Sequence, residues 1–71
     1  MNAEQHEKMM FVNGNLSTTF RAMDVGVDRL QYRMDGAEEF VLVTYANRWT
    51  RRVCVTGDSL RAITQDVLKA V

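Results

Sequence analysis

The chain has no proline, one cysteine, one histidine and no excess charge of either sign. Cys54 has no second cysteine to pair with, so an intrachain disulfide is excluded. Cys54 and His6 are the only soft or imidazole ligands, which argues against a four-ligand zinc site, and no cofactor is expected. Nine basic and nine acidic side chains cancel, so no overall field draws the molecule to nucleic acid or to an anionic membrane. No apolar run approaches the roughly 18 residues of a membrane helix. The polar, acidic stretch from Met1 to Lys8 lacks the apolar centre of a secretory leader. A single thiol fits a reducing compartment, and the expected location is cytoplasmic.

At 71 residues the chain reads as one domain over 1–71, with 1–8 as a frayed tail. A domain this short buries only about 60% of the surface its unfolded chain exposes, and one core of that size supplies roughly 3–5 kcal/mol. Without a disulfide or a metal, a second subunit or a marginal monomer remains.

What is present is periodicity. From Val27 to Met34 polar and apolar residues alternate, with Leu30, Tyr32 and Met34 on one face and Arg29, Gln31 and Arg33 on the other. Period two predicts a half-buried strand. Asp35-Gly36 predicts a tight turn. Glu39 to Tyr45 is β-branched, aromatic and apolar on both faces, as in a central strand. Ala46-Asn47-Arg48 predicts a second turn with Asn47 left-handed, and Trp49 to Thr56 a third strand. Gly57-Asp58-Ser59 ends the sheet, and Asp58 or Ser59 can cap a helix. Leu60, Ile63, Val67 and Val71 lie on one helical stripe.

Two-residue turns at both hairpins would set Leu30 opposite Val41, Tyr32 opposite Glu39, Leu42 opposite Val53 and Phe40 opposite Val55. Cys54 would then share a face with Val41 and Val43. A one-residue slip in either loop exchanges the faces. The N-terminal third supports two readings. Leu16, Phe20 and Met23 have helical spacing, which favours a short helix near Ser17 to Asp24. Met9 to Val12 followed by Asn13-Gly14 has the form of a hairpin. The expected fold class is therefore α+β: a short N-terminal helix (or hairpin), a three-stranded antiparallel meander, and a C-terminal amphipathic helix packed on the sheet.

The segments Phe40 to Tyr45, Arg51 to Val55, and Gly57-Asp58-Ser59 with Asp66-Val67 carry a resemblance over about two-thirds of the chain. In these the sequence resembles small uncharacterised domains of bacterial phages and mobile elements. That resemblance implies an accessory or inhibitor protein, of the anti-defence or anti-CRISPR type, that works by binding a host complex. It implies no active residue.

The most distinctive local feature is Tyr45-Ala46-Asn47-Arg48-Trp49-Thr50-Arg51-Arg52. It places arginines and large aromatics around one hairpin, the residue types enriched at binding hot spots. The same residues could instead pair with neighbouring carboxylates and cap the core. Asp35, Glu38 and Glu39 read as a solvated acidic turn, because a surface turn does not raise a carboxyl pKa and no cleft-forming segment is evident. Cys54, between valines, reads as a buried inert thiol, and His6 has no partner for a catalytic pair. Met9, Met10, Met23 and Met34 read as core filling.

No enzyme is expected. The leading expectation is a non-catalytic protein-interaction module, a small inhibitor or accessory protein that occludes a partner through Tyr45, Arg48, Trp49, Arg51 and Arg52. One alternative is a nucleic-acid binder using the same hairpin. The other is a structural homodimer.

Overall fold

The computed structural model describes residues 1–71. Its helical beginning is longer than the sequence suggests. Asn2 accepts the Gln5 N–H at 2.8 Å, and Gln5 Oε1 accepts the Asn2 N–H at 2.9 Å, a reciprocal cap that starts a helix where a loose tail was expected. The chain runs through α1 (Ala3–Met10), a π-wound stretch Phe11–Leu16 and α2 (Ser17–Ala22). The hairpin suggested by Asn13-Gly14 does not form. The wider π winding carries that dipeptide inside the helix, and the Asn13 side chain accepts the Tyr32 N–H at 2.7 Å.

Three antiparallel strands follow, β1 (Val27–Asp35), β2 (Glu38–Tyr45) and β3 (Thr50–Cys54), in the order β1-β2-β3. The expected α+β fold with its meander is present. The registers differ from the two expected ones in different ways. In the first hairpin Asp35 pairs with Glu38, and Gly36 and Ala37 form the turn. Gly36 has φ 62°, a conformation that costs glycine little. Leu30 therefore faces Val43, and Tyr32 faces Val41. This is a shift of two residues, and it leaves every side chain on its expected face.

The second hairpin has three loop residues. Arg48 N–H donates to the Tyr45 carbonyl at 2.9 Å, Tyr45 N–H donates to the Trp49 carbonyl at 2.8 Å, and Arg48, not Asn47, is left-handed at φ 74°. One extra residue turns β3 over. Val53 now faces Val41, and Cys54 faces Phe40 on the outer side. Cys54 is accordingly exposed, which corrects the reading of a buried thiol. Ellman's reagent is expected to titrate one thiol in the native protein at a rate comparable with the denatured chain. A thiol that reacts only after denaturation would contradict this register.

Ser59 Oγ accepts the Ala62 N–H at 3.2 Å and starts α3 (Leu60–Ala70). Ile63 and Val67 of α3 join Val12, Leu16 and Phe20 of the N-terminal helix over Val27, Leu30, Tyr32, Val41, Val43 and Val55. The helical stripe thus faces the core as expected at Ile63 and Val67, whereas Val71 stays exposed. Full burial of one such aliphatic side chain contributes roughly 1.5–3 kcal/mol. Met10 and Met23 are exposed, so they fill no core; Met9 and Met34 pack against it. Both helices lie on the same face of the sheet, so nothing covers the other one. No helix is long and apolar enough to cross a membrane.

Candidate functional site

The uncovered face is built by alternation. Residues paired across antiparallel strands share a side, which gives three rows: Arg29–Thr44–Thr50, Gln31–Leu42–Arg52 and Arg33–Phe40–Cys54. Asp35 and Glu38 close the end beside the first turn. Phe40 and Leu42 form a half-buried apolar spine on the central strand, flanked by arginines on both sides. The Arg52 guanidinium lies over the Phe40 ring at 3.9 Å and reaches Asp35 at 3.8 Å. An exposed pair of that length adds little stability. The cation–π contact keeps the guanidinium over the Phe40 ring.

The five hairpin residues do not form one patch. Tyr45 and Arg51 belong to the helix side, where the Tyr45 hydroxyl donates to the Ala70 carbonyl at 3.4 Å and Arg51 Nη1 donates to the same carbonyl at 3.1 Å. Together they hold the last turn of α3, where an orphan carbonyl and the helix dipole both favour a cation. Arg52 lies on the outer face. Arg48 and Trp49 sit at the turn, with Trp49 75% exposed.

A second cluster escaped the sequence reading. Glu39 is not part of a solvated turn. It is only 7% exposed, and Lys8, from the supposed tail, is only 4% exposed. Lys8 Nζ donates to Glu39 Oε1 at 2.9 Å, the Tyr32 hydroxyl donates to the same oxygen, and Gly57 N–H donates to Oε2 at 2.9 Å. Thr56 Oγ1 accepts the Glu39 N–H at 2.9 Å and donates to the Glu39 carbonyl at 3.2 Å. Burial pushes the Glu39 carboxyl up, but the Gly57 N–H, the Tyr32 hydroxyl and Lys8 together overcome it and hold the pKa near about 2. Burial, with Glu39 beside it, pushes the Tyr32 hydroxyl up, so it stays a donor. The available signal was parity: Glu39 lies two and four residues before Val41 and Val43, on the buried side of β2.

Asp58 completes this corner. A hydrogen bond with Asp66 and burial raise its pKa to about 6. Its Oδ2 is buried and has no donor within hydrogen-bond distance, an environment that favours the protonated acid. No group of three His, Cys, Asp or Glu side chains is placed to hold a metal ion. Chemically, the buried cluster locks α1, the sheet and the β3–α3 connection together. The open face offers guanidinium groups around apolar area. No family model matches the chain, and no curated protein or solved structure matches it.

Proposed function

We propose that the protein is a non-catalytic binding module that docks on an acidic surface of another protein and occludes it, as a small accessory or inhibitor protein of a phage or mobile element would. One observation carries this reading. Both helices pack on one side of the sheet and leave Phe40 and Leu42 on the other, ringed by Arg29, Arg33 and Arg52. Apolar area rimmed by arginines is the composition of an interface, with the apolar centre supplying burial and the rim supplying selection for carboxylates. Arg48 and Trp49 sit beyond its end, at the turn. Tyr45 and Arg51 support it from behind by fixing α3.

The ionisable groups favour binding over catalysis. Glu39 and Tyr32 are held in their ordinary protonation states at neutral pH, and Asp58 is engaged with Asp66. A nucleic-acid reading draws on the stacked Arg52 and the exposed Trp49, which suit bases. The balanced net charge opposes it, because such affinity comes mainly from cation–phosphate contacts.

The test is affinity capture from nuclease-treated host lysate with the wild type and with Arg29→Glu/Arg33→Glu. These substitutions sit on exposed strand positions, and the melting temperature should hardly move. A protein captured by the wild type should be retained at least about 30-fold less well by the variant, the loss typical of a hot-spot residue. Equal retention would refute the open face as the contact surface. Steeply salt-dependent binding of oligothymidylate would favour nucleic acid instead.

A further inference from the structure

The two edges of the sheet are treated differently. In an antiparallel sheet, successive residues of an edge strand point their main-chain N–H and C=O groups alternately to the neighbour and to the outside. On β1 the outward groups are occupied. The Ser17 hydroxyl accepts the Leu30 N–H and donates to the Leu30 carbonyl at 2.9 Å, Asn13 accepts the Tyr32 N–H, and Arg21 Nε donates to the Asp28 carbonyl at 3.0 Å. The N-terminal helix therefore seals that edge.

On β3 the bonds Val55 N–H to Glu39 carbonyl and Tyr45 N–H to Trp49 carbonyl fix the phase. Residues 49, 51, 53 and 55 face β2, so the main-chain groups of Thr50, Arg52 and Cys54 point away from the sheet. No side chain seals them. They repeat about every 6.8 Å, the spacing a further strand requires. β3 has no proline and no bulge, two of the devices against unwanted pairing; its arginines are the remaining guard, and they select against cationic segments rather than acidic ones. The groove beside it is lined by Arg51, Arg52, Val53, Asp66, Lys69 and Ala70, three cations against one carboxylate.

We infer that the β3 edge accepts an extended, acidic segment of the protein partner as a fourth strand. The inference rests on the proposed binding role and specifies how the partner is held. Main-chain bonds to Thr50, Arg52 and Cys54 would supply affinity. Carboxylates beside Arg52 on the open face, alternating with apolar side chains against Val53 on the helix side, would supply selection. A second copy is the poorer occupant, because it brings Arg51, Arg52 and Lys69 against the same three cations.

The probe is a capped hexapeptide alternating Glu and Val, with a Lys–Val peptide as control, titrated into the full chain and read by amide hydrogen exchange. The Glu–Val peptide should slow exchange at Arg52 and Cys54 at least tenfold, and the Lys–Val peptide should not. Cys54→Pro removes an outward N–H while sparing the ladder to β2, and should abolish the protection. Arg52→Glu should reverse the preference between peptides, which keeps the test decisive if the proline variant folds poorly. Absence of protection at millimolar peptide would overturn the inference, as would equal protection by both peptides. Protection that grows with protein concentration alone would assign the edge to a second copy and overturn it too. Arg29→Glu/Arg33→Glu should leave the peptide result intact, so failure at this edge and failure of the open face are separable.

Discussion

Lys8→Met is expected to destabilise the protein by about 3–5 kcal/mol, the range for removing one partner of a buried ion pair. The loss is large because the Glu39 carboxylate stays behind, nearly inaccessible to water and without its counter-charge. A core of this size supplies only roughly 3–5 kcal/mol, so the variant should be largely unfolded at room temperature. Adding Glu39→Gln should recover most of the loss. The glutamine carbonyl can still accept the Gly57 N–H, its amide can donate to the Tyr32 hydroxyl oxygen, and no uncompensated charge remains. Urea denaturation of the wild type, both single variants and the double variant measures the coupling. A Lys8→Met variant within about 1 kcal/mol of wild type would mean that the pair is exposed in solution.

Stability should pass through a maximum at about pH 4, with its two limbs set by different carboxyl groups. Glu39 has a folded pKa near about 2 against an ordinary 4.5. Its contribution is present above pH 4.5 and disappears as pH falls toward 2, a loss on the order of 3 kcal/mol. Asp58 has the opposite sign. Its folded pKa of about 6 exceeds the ordinary 3.8, so the folded state holds a proton that the unfolded chain releases. That contribution is complete below pH 3.8 and is lost as pH rises through 6. Glu39→Gln should flatten the acid limb, and Asp58→Asn, whose amide can donate to Asp66, should flatten the upper one. Denaturation midpoints between pH 3 and pH 7 check both. A wild-type profile rising monotonically to pH 7 would contradict the protonated Asp58 carboxyl.

Features with a local cause were legible in the sequence. Alternation from Leu30 to Met34 placed β1, and the stripe through Ile63 and Val67 placed α3 with Ser59 at its start. The N-terminal helix was legible only in part. Asn13-Gly14 favours a turn by local preference, but burial of Val12, Leu16 and Phe20 and the bond from Tyr32 to Asn13 outweigh it. Cys54 was misplaced because one extra loop residue reverses a strand, and Ala46-Asn47-Arg48 fits a two- or three-residue turn about equally well. The Lys8–Glu39 pair spans 31 residues and leaves no local pattern. The arginines of the hairpin were visible as a group, but their division between helix cap and open face depends on that same register.

Nuclear Overhauser contacts among side chains test most directly whether both helices share one side of the sheet. Phe20 and Ile63 should show contacts to Leu30, Val41 or Val43, and Phe40 and Leu42 should show none to either helix. A contact from α2 or α3 to Phe40 or Leu42 would cover the surface proposed for the partner and contradict the account.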